Sequence, residues 1–385
     1  MIIKIEPRNQ DEQVSGPHLR YAIIGAGGTI AATHLAALAQ FRGAQVVGLA
    51  DINPEVATKR AEEVGCPFFL DHRVMLKELK PDVVVVCTPH PSHMELVIDA
   101  IESGAHVLVE KPITVEVSHA DAMIAAADAV PDQIVAVNLQ HRFRPLTEYA
   151  KRIIDSGELG ALVRVLCIEP WFRNDTYFRT ASWRGTWKGE GGGVLMNQAP
   201  HPLDLLCYLA GLPDRVWGRI QTVDHEIETE DTAQAMFEYS NGASGFLQIN
   251  TVEAGERRME IVGDKAALEL SGNKLTIRRF KPSLTEVRRN SKEMFGSPAI
   301  EVETLDLPGD AGAHYAVYAD FQAAIVEKRK PRCDLRGGRM SVELANAITL
   351  SSLTQRMVTL PIDRAEYSVL LTDLKSGKLS LGSLR

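Results

Sequence analysis

The chain has 385 residues, of which 45% are hydrophobic and 24% are charged, and its formal net charge is −8. This length allows two domains with substantial cores, and the acidic balance argues against binding to nucleic acid. The sequence has no apolar stretch near the roughly 20 residues of a membrane span, so no membrane partner is expected. The five cysteines are scattered without a CxxC pair, which indicates free thiols in a reducing cytoplasm and no metal site.

Residues 19–145 alternate short apolar, β-rich runs with amphipathic segments. The predicted strands are 20–24, 45–50, 83–87, 107–109 and 134–137, and the predicted helices are 30–40, 54–64, 93–103 and 117–129. This alternation predicts right-handed crossovers and a parallel sheet covered by helices on both faces. The residues before it, 1–18, are expected to form an N-terminal extension rather than a secretory signal.

Longer alternating segments follow in residues 146–385. The predicted strands are 163–169, 215–223, 232–239, 243–251, 258–262, 266–271, 274–280 and 358–360, with helices at 146–156, 315–327 and 341–356. Asn241-Gly242 between two of the strands is a hairpin signal. We therefore predict an α/β protein whose second domain has a large, mostly antiparallel open sheet, with one face on helices and the other available for association.

A glycine-rich turn, Gly25-Ala26-Gly27-Gly28, follows the first predicted strand and opens the first helix. In this context glycines let backbone amides approach a pyrophosphate at a helix N-terminus, which predicts a dinucleotide-binding domain over residues 19–145. The next residues are Thr29 and Ile30, and Ile30 stands where the GxGxxG pattern has glycine or alanine. We interpret the loop as one residue longer, with Ala31 making the close helix–strand contact. A plain glycine turn is the alternative.

Asp51 ends the second predicted strand, close to the ~20-residue spacing from the glycine turn that dinucleotide domains show. A carboxylate there accepts hydrogen bonds from ribose hydroxyls and repels a 2′-phosphate. The next residue, Ile52, offers no cation for such a phosphate, so NAD is favoured over NADP. The alternative is that Asp51 caps the helix that begins near Pro54.

The tripeptide Glu110-Lys111-Pro112 directly follows the apolar run 106–109. Ligands of open α/β sheets bind outside the carboxyl ends of the strands, so Lys111 is expected to point into a crevice. A lysine in such a place can change its pKa by desolvation and take part in proton transfer. A solvated surface lysine is the alternative.

The ordered set of motifs resembles the Gfo/Idh/MocA oxidoreductase family over nearly the whole chain. The motifs are the glycine turn, Thr88-Pro89-His90-Pro91-Ser92-His93, Glu110-Lys111-Pro112, residues 157–160, residues 191–201, Asp204, Tyr318-Ala319-Asp320-Phe321 and residues 358–363. The resemblance implies a Rossmann domain, a second α/β domain (residues 146–385) whose sheet builds homodimers or homotetramers, a nicotinamide cofactor, and a polyhydroxylated substrate between the domains. The residues expected to hold the cofactor are Gly25, Gly27, Gly28, Thr29, Ile30, Asp51, Ile52, Thr88, Pro89, His93, Glu110, Lys111 and Gln140.

Oxidation of a secondary alcohol requires a hydride acceptor and a base for the hydroxyl proton. His201 suits the base without adjustment of its pKa, and Lys111 could polarise the oxygen or share the proton. Residues 197–208 are predicted to form one helix, with Asn197 and His201 on the same face. Many family members have aspartate where this chain has Asn197, which leaves His201 as the leading base. Asp204 either orients the imidazole or caps the helix.

Aromatic and cationic residues precede the glycine run, a mixture that suits a pyranose and resembles the family members that oxidise sugars or anhydrosugars at C3, the levoglucosan type among them. The residues expected to bind substrate are Lys111, Arg173, Trp183, Arg184, Trp187, Asn197 and His201. The alternative for the tryptophans is core packing. An anionic substituent could also bind Arg142, Arg144, Arg173, Arg179 or Arg184. The roles of Tyr149, Tyr177 and His314 stay open.

We therefore predict an NAD-dependent dehydrogenase that acts on a ring secondary alcohol of a sugar, sugar derivative or inositol. A second hypothesis is a glycoside-cleaving enzyme that oxidises C3 transiently, eliminates the leaving group and regenerates its cofactor. A third is a non-catalytic regulator that senses a dinucleotide or sugar.

Overall fold

In the computed structural model, which describes residues 18–309 and 313–384, the first part of the chain forms a six-stranded parallel sheet. The predicted extension, residues 1–18, lies outside the described residues except for His18. The strands are β1 (Leu19–Ile24), β2 (Ala44–Ala50), β3 (Phe68–Phe69), β4 (Val83–Val86), β5 (His106–Val109) and β6 (Val135–Val137), in the order β3-β2-β1-β4-β5-β6. The helices between them are α1 (Thr29–Leu38), α2 (Pro54–Val64), α3 (His72–Leu79), α4 (His93–Glu102) and α5 (Val117–Asp128). The strand order reverses between β1 and β4, which opens a crevice at their carboxyl ends.

The second part of the chain forms, within the described residues, a nine-stranded sheet in the order β14-β13-β12-β11-β7-β10-β9-β8-β15. Its strands are β7 (Leu162–Pro170), β8 (Arg215–Gln221), β9 (Thr232–Glu238), β10 (Ser244–Asn250), β11 (Arg258–Gly263), β12 (Ala266–Ser271), β13 (Lys274–Lys281), β14 (Ala299–Asp306) and β15 (Val358–Thr359). Of its described pairings, only β7 with β10 is parallel. The prediction of an α/β fold with a parallel and a mostly antiparallel sheet is confirmed.

The helices of this second part are α6 (Pro145–Asp155), α7 (Asp175–Arg179), α8 (Trp187–Glu190), α9 (Val194–Asn197), α10 (Pro200–Ala210), α11 (Leu284–Asn290), α12 (Ala313–Glu327), α13 (Leu335–Thr354) and α14 (Arg364–Lys375). No helix of the described residues is long and apolar enough to cross a membrane.

The parallel sheet is buried on both faces, as its all-apolar strands predict. Tyr21 and Ile23 of β1 pack in one layer with Tyr318 and Phe321 of α12, so a helix from late in the chain covers this face. Ala22 and Ile24 point to the opposite layer, which contains α4 and α5 and continues into the second sheet. The core therefore joins the two sheets and holds the crevice between them.

The second sheet has one face under helices and one open face. Residues of β8 alternate between exposed and buried, because successive side chains of a strand point to opposite faces. On the open face, Trp217, Met236 and Phe246 lie side by side in register across β8, β9 and β10. They are 48%, 51% and 45% exposed.

Candidate active site

The glycine turn lies where β1 and β4 both end. Gly25 has φ +85°, and a Cβ on it would lie 2.7 Å from the amide nitrogen of Thr88, so only glycine allows the two turns to meet. Gly28 is the N-cap of α1, which begins at Thr29, and Ile30 packs partly buried against the core. The result is a narrow backbone cradle at a helix N-terminus, the geometry that a pyrophosphate requires.

Asp51 lies beside this cradle. Its Oδ2 accepts a hydrogen bond from the Gly27 amide at 2.7 Å, and its Oδ1 accepts one from the Asn53 amide at 2.9 Å. The N-cap of α2 is Asn53 and not Asp51, so the capping alternative for Asp51 is wrong. Ile52 is 91% exposed at the rim. The carboxylate therefore stands next to the glycine turn with an apolar neighbour.

The Thr88–Pro89 turn is held by two side chains that follow it. Ser92 Oγ lies 2.8 Å from both Thr88 Oγ1 and the Pro89 carbonyl. The ring of His93 is fully buried, with Nδ1 3.0 Å from the Pro112 carbonyl and Nε2 2.9 Å from the Thr88 carbonyl. Both nitrogens of His93 are engaged by backbone, so this residue ties the turn to the Lys111 loop from behind and does not present a polar atom to the crevice.

Glu110 is also buried and points inward. Its Oε1 lies 2.7 Å from Nε2 of His34 and accepts a further hydrogen bond from the Asn138 amide, while Oε2 accepts the Lys111 N–H at 3.1 Å. The other ring nitrogen of His34 lies 2.7 Å from the hydroxyl of Tyr318. This cluster therefore fixes the backbone at Lys111, and sequence reasoning missed His34 as its partner.

The contact between His34 and Glu110 favours the ionised form of each group. Burial raises the pKa of Glu110, but the hydrogen bond and charge of His34 outweigh it, and the pKa falls to about 2. Burial lowers the pKa of His34, but contacts with Cys87 and Glu110 bring it to about 10. The positive imidazolium neutralises the Glu110 carboxylate locally, so that carboxylate attracts the Lys111 ammonium less strongly.

Lys111 is half-buried, and its Nζ donates a hydrogen bond to the backbone carbonyl of Asn197 at 3.0 Å. The predicted helix 197–208 is wrong, because α9 ends at Asn197 and α10 begins at Pro200. Pro200 and Pro202 have no N–H for the carbonyls four residues before them. The break leaves the Asn197 carbonyl outside a regular helix, where it accepts from Lys111 instead.

The side chain of Asn197 binds a carboxylate that the sequence analysis missed. Its Nδ2 donates to Oε1 of Glu190, and its Oδ1 accepts from the hydroxyl of Tyr177 at 3.2 Å. Glu190 is 2% exposed, and its Oε2 accepts the Gly185 N–H at 2.5 Å. Burial raises the pKa of Glu190. The position of Glu190, directly before the glycine run, was the only signal in the sequence.

The Lys111 ammonium is surrounded by charges of both signs. Burial lowers its pKa most, Glu110 and Glu190 raise it, and Arg184 and Arg173 lower it. The net effect places the pKa of Lys111 below its ordinary value, which makes its proton easier to release.

The glycine run before α9 is required by close packing. A Cβ on Gly193 would lie 1.9 Å from the carbonyl oxygen of Glu230. Oε1 of Glu230 accepts the amides of Gly193 at 2.9 Å and Leu195 at 3.0 Å. This buried carboxylate therefore holds the start of α9 and, through it, the position of Asn197.

His201 is 8% exposed and stacks on His141 with ring centroids 4.0 Å apart. Its Nε2 lies 3.2 Å from Nε2 of Gln140, and no described residue makes a hydrogen bond to its Nδ1 or to Oε1 of Gln140. Burial lowers the pKa of His201 well below its ordinary value, and the charges of neighbouring cations, Lys111 among them, lower it further. His201 is therefore a neutral imidazole whose buried Nδ1 has no hydrogen-bond partner among the described residues.

Asp204 has neither of the roles predicted for it. It is 1% exposed, and its carboxylate binds the guanidinium of Arg142 through several hydrogen bonds, of 2.5 to 3.2 Å. Another arginine predicted to bind an anion, Arg179, is exposed and pairs with Asp175 on its own helix. Both arginines are thus satisfied by carboxylates away from Lys111.

The predicted substrate residues separate into two groups. Arg184 donates to the Tyr177 hydroxyl at 2.7 Å, and its guanidinium lies 4.6 Å from the ring centroid of Trp183, so these residues join the Lys111 site. Trp187 does not join them. It is 2% exposed, its indole N–H binds the Glu228 carbonyl at 3.0 Å, and it lines a separate cavity of about 1000 Å³. Its backbone lies in short helix α8, which faces the core.

Tyr149 and His314, whose roles the sequence left open, lie in different surroundings. Tyr149 packs against the core beneath Arg152. His314 lies edge-on to His34 at 5.7 Å, and its charge acts on His201, so it faces the crevice.

The site fits a dinucleotide on this chain's own geometry. The cradle at Gly25 admits no Cβ, the Asp51 carboxylate lies beside it, and Oε1 of Gln140 and Nδ1 of His201 are buried without a hydrogen-bond partner among the described residues. A family model described as an oxidoreductase family with an NAD-binding Rossmann fold matches residues 19–139, and the Gfo/Idh/MocA C-terminal domain matches residues 147–269. The chain belongs to the Gfo/Idh/MocA family of NAD-binding oxidoreductases, and the resemblance and the prediction of NAD are confirmed.

Relatives named for an enzymatic activity align with most of the length of this chain. It is 28% identical to UDP-N-acetylglucosamine 3-dehydrogenase of Acidithiobacillus ferrooxidans, over 88% of this chain and 99% of that one. It is 27% identical to D-glucoside 3-dehydrogenase of Escherichia coli, over 66% of this chain and 77% of that one. The crystal structure of the WlbA dehydrogenase of Chromobacterium violaceum with NADH and UDP-GlcNAcA superposes with a TM-score of 0.77 at 26% identity, covering 91% of this chain and 98% of that one.

Proposed function

We propose that this protein oxidises a ring secondary alcohol of a sugar, sugar derivative or inositol with NAD, and that Lys111 and His201 handle the hydroxyl proton. The observation that carries the proposal is the position of Lys111. Lys111 follows the carboxyl end of β5, the end of the sheet at which the glycine turn after β1 also lies, and its Nζ is held by the Asn197 carbonyl at 3.0 Å. The nicotinamide, when bound, supplies the hydride acceptor.

The proton has two neighbouring groups to receive it. His201 is neutral, so it accepts a proton at whichever ring nitrogen is bare. A half-turn of the Gln140 carboxamide lets its Oε1 accept from Nε2–H of His201, which leaves Nδ1 bare for the substrate hydroxyl. Lys111 then donates to the same oxygen and stabilises the charge that develops as the proton leaves.

The substrate class rests on the relatives and on the residues around Lys111. Two relatives named for activity at C3 act on a glucoside and on a nucleotide-linked amino sugar. In this chain, the rings of Trp171, Tyr177 and Trp183 hold the guanidinium groups of Arg173 and Arg184, whose charges act on Lys111 and whose N–H donors suit the hydroxyls of a sugar.

One observation also favours glycoside cleavage through transient C3 oxidation. That reaction needs a second acid–base group for the C2 proton and the leaving group. Glu169, at the end of β7, accepts a hydrogen bond from the Trp171 indole at 3.0 Å, and burial raises its pKa to about 7. A carboxyl group of that pKa can exchange a proton at neutral pH.

We further propose that copies of the chain associate through the open face of the second sheet. The row of Trp217, Met236 and Phe246 would be covered by a second copy, giving a homodimer or, with another interface, a homotetramer. Light scattering of the purified protein tests this, since a monomer at micromolar concentration would contradict it.

The first experiment is an NADH absorbance assay with NAD and a panel of monosaccharides, anhydrosugars, inositols, uronates and glycosides, with product analysis in parallel. NADH formed from a free sugar and lost in Lys111→Met supports the dehydrogenase. Aglycone released without net NADH, and lost in Glu169→Gln, supports glycoside cleavage. If neither NADH nor an aglycone is formed, the result would favour the regulator hypothesis.

A further inference from the structure

Two guanidinium groups near Lys111 have no carboxylate partner. Arg173 and Arg184 are half-buried, and their charges act on Lys111. None of the carboxylates in residues 18–309 and 313–384 lies within ion-pair distance of either group. Half-buried arginines are usually paired, because a desolvated charge without a counterion is costly.

The two groups are held by aromatic rings rather than by anions. The carbon atom at the centre of each guanidinium lies over the Tyr177 ring, Arg184 at 4.4 Å and Arg173 at 5.1 Å. Arg184 also lies over Trp183 at 4.6 Å and Arg173 over Trp171 at 5.9 Å. Stacking on a ring fixes the plane of a guanidinium and leaves its N–H edge free to bind.

Most of the N–H donors of these groups are unused. A guanidinium carries five. Among the described residues, Arg173 donates one hydrogen bond, to the Phe172 carbonyl, and Arg184 donates two, to Thr180 and Tyr177. Each group therefore has donors left for a bidentate contact.

The charge around the site is positive. The charged and titratable groups that face Lys111 are Glu110, Glu190, Arg173, Arg184, His90 and His201. Glu110 is paired with His34, and Glu190 is a buried group hydrogen-bonded to Asn197 and Gly185. An oxidised nicotinamide adds another positive charge. The site therefore carries more positive than negative charge, which a bound anion would balance.

We propose that the substrate is a sugar that carries an oxyanion, a carboxylate, sulfonate or phosphate, and that Arg173 and Arg184 bind this group. The inference rests on the proposed dehydrogenase function and specifies its substrate class. Planar guanidinium groups match the oxygens of such anions in bidentate geometry. The Tyr177 ring lies against both cations, and its hydroxyl accepts from Arg184 and donates to the side chain of Asn197, whose backbone carbonyl binds Lys111.

The test compares sugars that differ only in charge. The holoenzyme is assayed for NADH formation with glucuronate and galacturonate, with their neutral amides, and with glucose 6-sulfonate, glucose 6-phosphate and glucose. We expect kcat/KM for an oxyanion sugar to exceed that of its neutral counterpart by about 10–100-fold, the effect of losing hydrogen bonds to a charged group. The sulfonate, phosphate and carboxylate arms identify which anion fits.

Three variants assign the effect. Arg173→Gln and Arg184→Gln should raise KM for the oxyanion sugar much more than they lower kcat, and much more than they raise KM for the neutral counterpart. Arg179→Gln is the matched control, since Arg179 is exposed and pairs with Asp175. Equal turnover of charged and neutral sugars, or an equal effect of Arg179→Gln, overturns this inference and leaves the proposed function intact. NADH from none of these sugars and from no member of the wider panel overturns the proposed function itself.

Discussion

The two walls of the crevice differ in how their polar groups are satisfied. On the cofactor wall, Glu110, His34 and His93 are buried, and each is bound by protein atoms at 2.7 to 3.1 Å. On the substrate wall, Arg173 and Arg184 are half-buried, stack on rings, and have no ion pair within the described residues.

This difference separates a preformed surface from one that a ligand completes. A wall whose charges are already paired keeps its geometry without ligand, as a tightly held cofactor requires. A wall with unbalanced charge gains binding energy only when an oppositely charged group arrives. Lys111 lies between the two, fixed at its backbone by Glu110 and at its Nζ by Asn197.

The largest expected effect is at Lys111, where the two walls meet. Lys111→Met should lower kcat by about 10²–10⁴-fold, because it removes the donor at the reacting oxygen. NADH binding, measured by cofactor fluorescence, should stay within a few-fold of wild type. Lys188→Met, an exposed lysine in the neighbouring helix α8, is the control. A kcat within tenfold of wild type would contradict the role of Lys111.

The next effect concerns the stability of the cofactor wall. Glu110→Gln leaves a buried imidazolium without its counterion, which should lower the free energy of unfolding by about 3–5 kcal/mol. The pKa of Glu110 falls from 4.5 to about 2, so its contribution is present above pH 4.5 and lost as pH falls towards 2. The pKa of His34 rises from 6.5 to about 10, so its contribution is present below pH 6.5 and lost as pH rises towards 10.

Urea unfolding across the pH range measures this prediction. The difference between wild type and Glu110→Gln should be greatest between pH 4.5 and 6.5 and should shrink towards pH 10. The double variant His34→Gln/Glu110→Gln should recover part of the loss, because it removes both charges. A difference that does not change with pH would mean that the pair is not ionised.

The sequence predicted the fold better than the site. Helix α2 and strand β12 have the predicted limits, because Asn53 caps the former and a tight turn follows the latter. Two of the missed elements, β14 and α3, bury few side chains: β14 is an edge strand that buries only Leu305, and α3 is a short helix that buries Met75 and Leu76.

In the site, the glycine turn and Lys111 follow from local pattern, since each lies at the end of a recognisable strand. The partners do not. His34 and Glu110 are 76 residues apart, and Arg142 and Asp204 are 62 apart. The break before Pro200 could have been found, because two prolines occur within the predicted helix. Trp187 shows the opposite error, since aromatic composition alone does not separate a sugar contact from a core residue.

A smaller effect is expected at the adenosine end of the cofactor wall. Asp51→Ala should raise KM for NAD by about 10–100-fold, because it removes an ionised acceptor for ribose hydroxyls. It also removes the repulsion of a 2′-phosphate, so KM for NADP should rise less or fall. The ratio of kcat/KM for NAD to that for NADP is the measurement, since it cancels any general loss of structure. An unchanged ratio would place the ribose elsewhere.

The smallest expected effect is at Glu190, where the two walls meet. This carboxylate reaches Lys111 through Asn197, and its negative charge raises the pKa of Lys111 against the effects of burial and of Arg184 and Arg173. Glu190→Gln should therefore lower the pKa of Lys111. In the pH profile of kcat/KM, the limb that reports this pKa should move to lower pH. The maximal kcat should fall by no more than about tenfold, because the residue acts through another and not on the substrate. The double variant Glu190→Gln/Asn197→Asp places a negative charge on residue 197, whose backbone carbonyl binds Lys111. The limb should then move back to higher pH. A limb that stays at the wild-type pH in Glu190→Gln would show that Glu190 only supports the Gly185 turn.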